Sequence, residues 1–175
     1  MAGIAHTCRM GERLWAPWRL EYIKKARKGK GECIFVELPK RSDDRKNLIL
    51  FRGEHAFVML NAFPYTNGHL MIAPYLHTAD LADLSDEEHL EVAHLIRDSV
   101  RWLTAVYEPD GFNIGMNLGV AAGAGIADHL HWHVVPRWQG DTNFMPVVGD
   151  VRVLPESLEE AYDRLRAIIE QETDA

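Results

Sequence analysis

Three histidines recur at every second position in the segment His129-Leu130-His131-Trp132-His133-Val134-Val135-Pro136-Arg137-Trp138. Side chains alternate across a β-strand, so His129, His131 and His133 fall on one face while Leu130, Trp132 and Val134 share the other. The apolar face anchors the strand, and the imidazole face is offered to a ligand. Alternate residues lie roughly 7 Å apart at Cα, so the rings can reach a common phosphate but cannot all hydrogen-bond one another directly. They need separate jobs. A neutral imidazole is a competent nucleophile whose tautomer is set by what its other ring nitrogen donates to, and a neighbouring imidazole can protonate a departing group near neutral pH. Two further readings stand beside this one: a zinc site, since paired histidines are common metal ligands, and three histidines without a role, although histidine is not strand-favouring.

The elements that must position these residues are legible upstream. Three apolar runs, Leu48-Ile49-Leu50-Phe51, Ala56-Phe57-Val58-Met59-Leu60 and His69-Leu70-Met71-Ile72-Ala73, are separated by Arg52-Gly53-Glu54 and by Pro64-Tyr65-Thr66-Asn67-Gly68. Asn67-Gly68 is a strong turn signal, and the pattern is an antiparallel meander. Ser85 and Glu88 form a capping box for one long amphipathic helix, in which Val92, Ile96, Val100, Leu103 and Tyr107 recur every three or four residues until Pro109. A strand over 111–117, a glycine-rich loop over 119–125, a strand centred on His131 and a terminal helix complete the order. In that helix Leu158, Ala161, Tyr162, Leu165 and Ile169 share a face. At the front, residues 1–12 read as a flexible tail, Trp18, Tyr22 and Ala26 suit a short surface helix within 15–28, and 29–47 read as loop. The fold class is α+β, one domain over 13–175 with an antiparallel sheet of about five strands, one long helix and a C-terminal helix.

Composition bounds the function. The 175 residues suffice for one domain with its own core, and 47% hydrophobic with 26% charged residues is ordinary for a soluble globular chain. A net charge of −7 argues against nonspecific nucleic-acid binding, which needs a lysine and arginine excess. No run of roughly 18 apolar residues marks a membrane span. Cys8 and Cys33 are the two cysteines, too few for a disulfide framework, and a cytoplasmic setting is the simplest expectation.

At His-Leu-His-Trp-His-Val-Val-Pro-Arg the chain resembles the signature of the histidine-triad superfamily. The resemblance runs from about Arg13 to the terminal helix. It includes Leu60-Asn61-Ala62-Phe63-Pro64-Tyr65 and Gly68-His69-Leu70-Met71-Ile72-Ala73-Pro74. Through Asn113-Ile114-Gly115-Met116-Asn117-Leu118-Gly119 and the residues from Pro136 to Phe144, it is most similar to bacterial diadenosine tetraphosphate phosphorylases and hydrolases. The resemblance implies a histidine-triad fold and an enzyme that cleaves dinucleoside polyphosphates at the α-phosphate through a nucleotidyl-histidine intermediate. Adenosine phosphoramidates are the alternative substrates, and a nucleotide sensor with little turnover is the non-enzymatic alternative. In the implied roles, His131 attacks phosphorus, the main-chain carbonyl of His129 fixes it, His133 contacts phosphate and leaving group, and His69 is a fourth histidine beside the nucleophile. Read alone, His69 is equally a satisfied strand residue. Asn61 would bind the ribose and Asn117 the phosphate side, each with a local turn cap as its bland reading. Gly123 and Gly125 would bring backbone amides to the phosphates, and Trp138 is included among the substrate-binding residues. A homodimer with the sheet extended across the interface is also implied, and no cofactor is required.

Two departures from the family pattern stand out. Many members open with a Cys-x-x-Cys pair that binds structural zinc with two histidines. Here Cys33-Ile34-Phe35-Val36 has valine in the second position, leaving Cys33, His77 and His129. Structural zinc is therefore not expected, because such sites are nearly always closed by four protein ligands. Gly125 also stands where phosphorylase relatives place serine and other branches glutamine, which leaves the second-step acceptor, phosphate or water, open.

Overall fold

A computed structural model describes residues 33–141 and 155–173. The tail, the helix read within 15–28, the first part of the 29–47 loop and Thr142-Asn143-Phe144 lie outside these residues. Five strands form one antiparallel sheet: β1 (Ile49–Arg52), β2 (Ala56–Leu60), β3 (Leu70–Pro74), β4 (Gly111–Met116) and β5 (Trp132–Arg137). Their order is β1-β2-β3-β5-β4, so the first three strands form the expected meander and β5 inserts between β3 and β4. The α-helices among the described residues are α1 (Ile34–Glu37), α2 (Asp86–Tyr107) and α3 (Leu158–Thr173). This is the α+β architecture expected from the sequence.

Alternation in the central strands divides two layers. Val58 and Leu60 of β2, with Leu70 and Ile72 of β3 and Val134 of β5, pack against Val92, Leu95, Trp102 and Leu103 of α2 and Ala161, Leu165 and Ile169 of α3. The intervening Phe57, Met59, Met71 and Ala73 point the other way and pack with Phe35 of α1. β2 and β3 are buried at every position because both faces are covered. Burying a large apolar side chain in such a layer contributes roughly 1.5–3 kcal/mol.

The capping box of α2 is complete: Glu88 N–H donates to Ser85 Oγ at 3.2 Å and Ser85 N–H to Glu88 Oε2 at 2.7 Å. Asp86, Glu87 and Glu88 place negative charge on the positive end of the helix dipole. The helix stops where Glu108 turns left-handed, φ 46°, just before Pro109. Gly68 closes the β2–β3 turn at φ 73°, where an added Cβ would stand 2.8 Å from Tyr107 Cε2. Glycine is needed there for both conformation and space.

Glu91, on the first half of α2, ties the helix to the β1–β2 turn. Its carboxylate accepts from the backbone N–H of Glu54 at 2.8 Å, His55 at 2.5 Å and Ala56 at 2.9 Å. Glu91→Gln turns an amide NH₂ toward donors, so a loss of about 2 kcal/mol and several degrees of melting midpoint is expected. An unchanged thermal denaturation curve would contradict this.

Two local expectations need correction. Residues 34–37 form a helical turn within the stretch read as loop; four residues are too few to show helical periodicity, and the turn is held by Val36 and Glu37 N–H donating to the Cys33 carbonyl, each at 2.9 Å. The last strand begins at Trp132 rather than being centred on His131. Trp132 pairs with Ile72, so Leu130 would face Pro74, which has no N–H to continue the ladder. Leu130 N–H instead donates to the Thr78 carbonyl at 2.8 Å.

Candidate active site

The site lies at the start of β5 on the sheet face that carries α1. His131 and His133 sit side by side, ring centroids 5.0 Å apart and nearly perpendicular at 80°. The tautomers follow from the partners. His131 Nδ1 lies 2.9 Å from the His129 carbonyl, which only accepts, so Nδ1 carries the proton and Nε2 the lone pair. His69 Nδ1 faces two donors, Tyr65 N–H at 3.1 Å and Asn61 Nδ2 at 3.4 Å, so its proton is on Nε2, which donates to His133 Nδ1 at 2.9 Å. His133 therefore presents an N–H from Nε2. A nucleophilic lone pair and a hydrogen-bond donor stand next to each other, each fixed by a group that cannot exchange roles.

His129 has a different position. It is 2% exposed, its Nε2–H donates to the Pro74 carbonyl at 2.9 Å, and its Nδ1 accepts from the Cys33 thiol at 3.4 Å. Alternation puts the three imidazoles on one face, and both ring nitrogens of His129 are occupied inside the protein.

Burial is the main cause that holds His129 and His133 down to about 4 and His131 below its ordinary value; the positive charge of a neighbouring histidine adds to the shift of the first two. A carbonyl bond opposes burial at His129 and His131 without reversing it. His131 is therefore neutral and nucleophilic at neutral pH. His133, held down mainly by burial, is neutral too and offers an N–H donor. The folded protein binds fewer protons than the unfolded chain between about pH 4 and pH 6.5, so stability present above that window is lost as pH falls through it. Melting midpoints should fall steadily from about pH 7 to about pH 5, above the carboxylate range. A flat series would contradict the burial of these rings.

The remaining sequence-predicted residues are unevenly placed. Asn61 lies beside His69, and its Oδ1 accepts from Phe63 N–H at 2.9 Å, the local cap that was its bland reading. Asn117 follows β4, whose Gly115 and Met116 pair with His133 and Trp132, which brings it to the same end of the sheet as His131. Gly119, φ 75°, and Gly123, φ 90°, bracket a single 3₁₀ turn over Val120–Ala122, and Gly125 follows, half-buried, on the way back to β5. Trp138 is at the opposite end of β5, its ring edge-on to Tyr107 at 6.5 Å and its indole N–H donating to the Tyr107 carbonyl at 3.4 Å. Sequence reasoning missed Phe35, whose ring lies 4.9 Å from His131 and 5.2 Å from His129, and Tyr65, whose ring lies 4.6 Å from His69. The one signal for Phe35 is an aromatic residue two positions after Cys33, in a short apolar run flanked by charged residues.

Cys33, His77 and His129 offer ligand atoms within 4.8 Å of one another. Val36 provides no donor, and no fourth ligand joins the cluster among the described residues. These three donors are one fewer than the four protein ligands that close a structural zinc site.

Comparison with known proteins places this geometry. The family model described as HIT domain matches residues 43–140, more than half of the chain and all of the segment from His129 to Trp138. The chain belongs to the HIT domain family. That family comprises nucleotide hydrolases and transferases, and the chain is an enzyme of this kind. It is 40% identical over 154 residues to a Mycobacterium tuberculosis protein named AP-4-A phosphorylase, covering 84% of this chain and 78% of that one. It is 28% identical over 105 residues to the adenosine 5'-monophosphoramidase hnt1 of Schizosaccharomyces pombe, covering 60% and 74%. Among solved structures, a Zn-bound histidine triad family protein from Mycobacterium smegmatis matches with TM-score 0.64 and 29% identity, over 83% of this chain and 99% of that chain. No helix among the described residues is long and apolar enough to cross a membrane.

Proposed function

We propose that this HIT protein cleaves dinucleoside polyphosphates such as diadenosine tetraphosphate at the α-phosphorus in two steps. The observation that carries the reading is the fixed pair of tautomers, a lone pair on His131 Nε2 beside an N–H on His133 Nε2. In the first step His131 Nε2 bonds to the α-phosphorus and the bond to the bridging oxygen breaks, releasing a nucleoside polyphosphate. In the second step an acceptor oxygen attacks the same phosphorus and the P–N bond breaks, regenerating neutral His131. The His129 carbonyl takes up the positive character that develops on the His131 ring, through the Nδ1–H bond. His133 Nε2–H meets the charge developing on the phosphoryl and leaving oxygens, with His69 holding its tautomer. Asn61 is assigned to the ribose, Asn117 and the amides around Gly123 and Gly125 to the phosphates, and no cofactor enters either step. Trp138 contributes to substrate binding only indirectly, by fixing the far end of β5.

The tautomers favour a polyphosphate leaving group over an amine. A polyphosphate departs as an anion and needs only hydrogen bonding, whereas the amine of a phosphoramidate must gain a proton, which His133 at about 4 holds ready only in acid. The relative named AP-4-A phosphorylase supports inorganic phosphate as acceptor. We further assign residues 13–175 to one domain of a cytoplasmic homodimer. Among the described residues β4 is a sheet edge with Ile114 48% exposed, suited to pairing with a second copy.

Product analysis tests the reading. With diadenosine tetraphosphate, EDTA and phosphate, ADP and ATP are expected. AMP and ATP formed without phosphate would make water the acceptor. Absence of turnover on this substrate, with turnover of a phosphoramidate, would replace the substrate class.

A further inference from the structure

The nucleophile is held by a chain of contacts that starts far away in sequence. Cys33, 96 residues before His129, donates its thiol proton to His129 Nδ1 at 3.4 Å, and the opposite nitrogen of that ring is tied to the Pro74 carbonyl. With both nitrogens anchored and the ring stacked on His77 at 5.0 Å and 21°, the orientation of His129 is set by its side chain. Its carbonyl then receives the His131 Nδ1–H. Two residues beyond Cys33, Phe35 is 1% exposed and packs directly against the His131 ring at 4.9 Å and 32°. One short segment therefore touches the nucleophile by two routes, a hydrogen-bonded route through His129 and an apolar route through Phe35. The bond from thiol to imidazole also joins two members of the three-ligand cluster that Val36 leaves incomplete.

We propose that Cys33 and Phe35 are positioning residues for His131. The Cys33 thiol fixes the His129 ring and hence the carbonyl that orients the nucleophile, the Phe35 ring backs the imidazole itself, and no metal ion is needed for either. The inference rests on the reading of His131 as nucleophile and adds how this chain holds it.

The test uses full-length wild type, Cys33→Ala, Cys33→Ser and Phe35→Leu, each with steady-state kinetics on diadenosine tetraphosphate, a melting curve and ¹⁵N NMR of the imidazole nitrogens. In Cys33→Ala and Phe35→Leu, kcat should fall about tenfold with KM within about twofold, the scale expected for a misoriented reacting group. Cys33→Ser, which keeps a donor, should recover most of the loss. The single Nδ1–H tautomer of His131 should become a mixture in Cys33→Ala, and EDTA should leave wild-type activity unchanged. Unchanged kcat in both variants, a loss that only follows the folded fraction, or a loss in EDTA restored by zinc would overturn the proposal. If wild type turns over no nucleotide, the functional reading fails by itself, while the tautomer comparison still decides the positioning claim: a His131 tautomer identical in wild type and Cys33→Ala overturns it.

Discussion

His131→Ala is expected to reduce turnover of diadenosine tetraphosphate by about 10⁴-fold or more, with little change in KM, because a covalent route disappears with its nucleophile. The argument is geometric. His131 is 6% exposed, its Nδ1–H is committed to the His129 carbonyl, and Nε2 carries the lone pair. No other imidazole in the cluster is equivalent: His129 uses both nitrogens internally, and His133 presents a proton rather than a lone pair. The variant should stay folded, since the sheet ladder starts only at Trp132 and the Leu130 amide keeps its bond to Thr78. Steady-state kinetics beside a melting curve check both parts. Activity within tenfold of wild type would remove His131 from the mechanism.

The second large effect is expected at His133. His133→Asn removes the Nε2–H donor and leaves the shorter side chain poorly placed for the His69 Nε2–H, so kcat should fall by about 10²–10³-fold, the scale for losing one preorganised donor to developing charge. The effect should fall on kcat more than on KM, because the charge that the donor meets grows during the step. His69→Ala should reproduce a smaller part of the loss, since it frees the His133 tautomer without removing the donor. A rise in KM at constant kcat in His133→Asn would instead mark His133 as a ground-state binding group.

Much of this arrangement is legible in the sequence where a single periodicity decides the outcome. The Ser85 and Glu88 box, the meander and the face shared by Ala161, Tyr162, Leu165 and Ile169 follow from local rules, and the structure has each of them. The alternation of His129, His131 and His133 also assigns the imidazoles to one face. Depth is what alternation cannot express. His129 is sealed because Cys33 and the Pro74 carbonyl arrive from elsewhere in the chain, contacts 96 and 55 residues apart. The same holds for α1: a four-residue helix in a charged stretch has no repeat to read, yet it delivers Phe35 to the histidines. The tautomers are a third case, since each depends on whether a neighbour donates or only accepts, and that is settled by backbone groups of Tyr65, Pro74 and His129.

The measurement that bears most directly on a His131-linked intermediate is a single-turnover experiment with enzyme in excess over diadenosine tetraphosphate. It would be quenched rapidly in alkali, where a phosphorus–nitrogen bond survives, and followed by peptide mass spectrometry. The account predicts a nucleoside monophosphate on the peptide carrying His131, formed and consumed before the final product accumulates, and missing from His131→Ala. No adduct at any time point together with inversion at the α-phosphorus, or an adduct on a different residue, would contradict it.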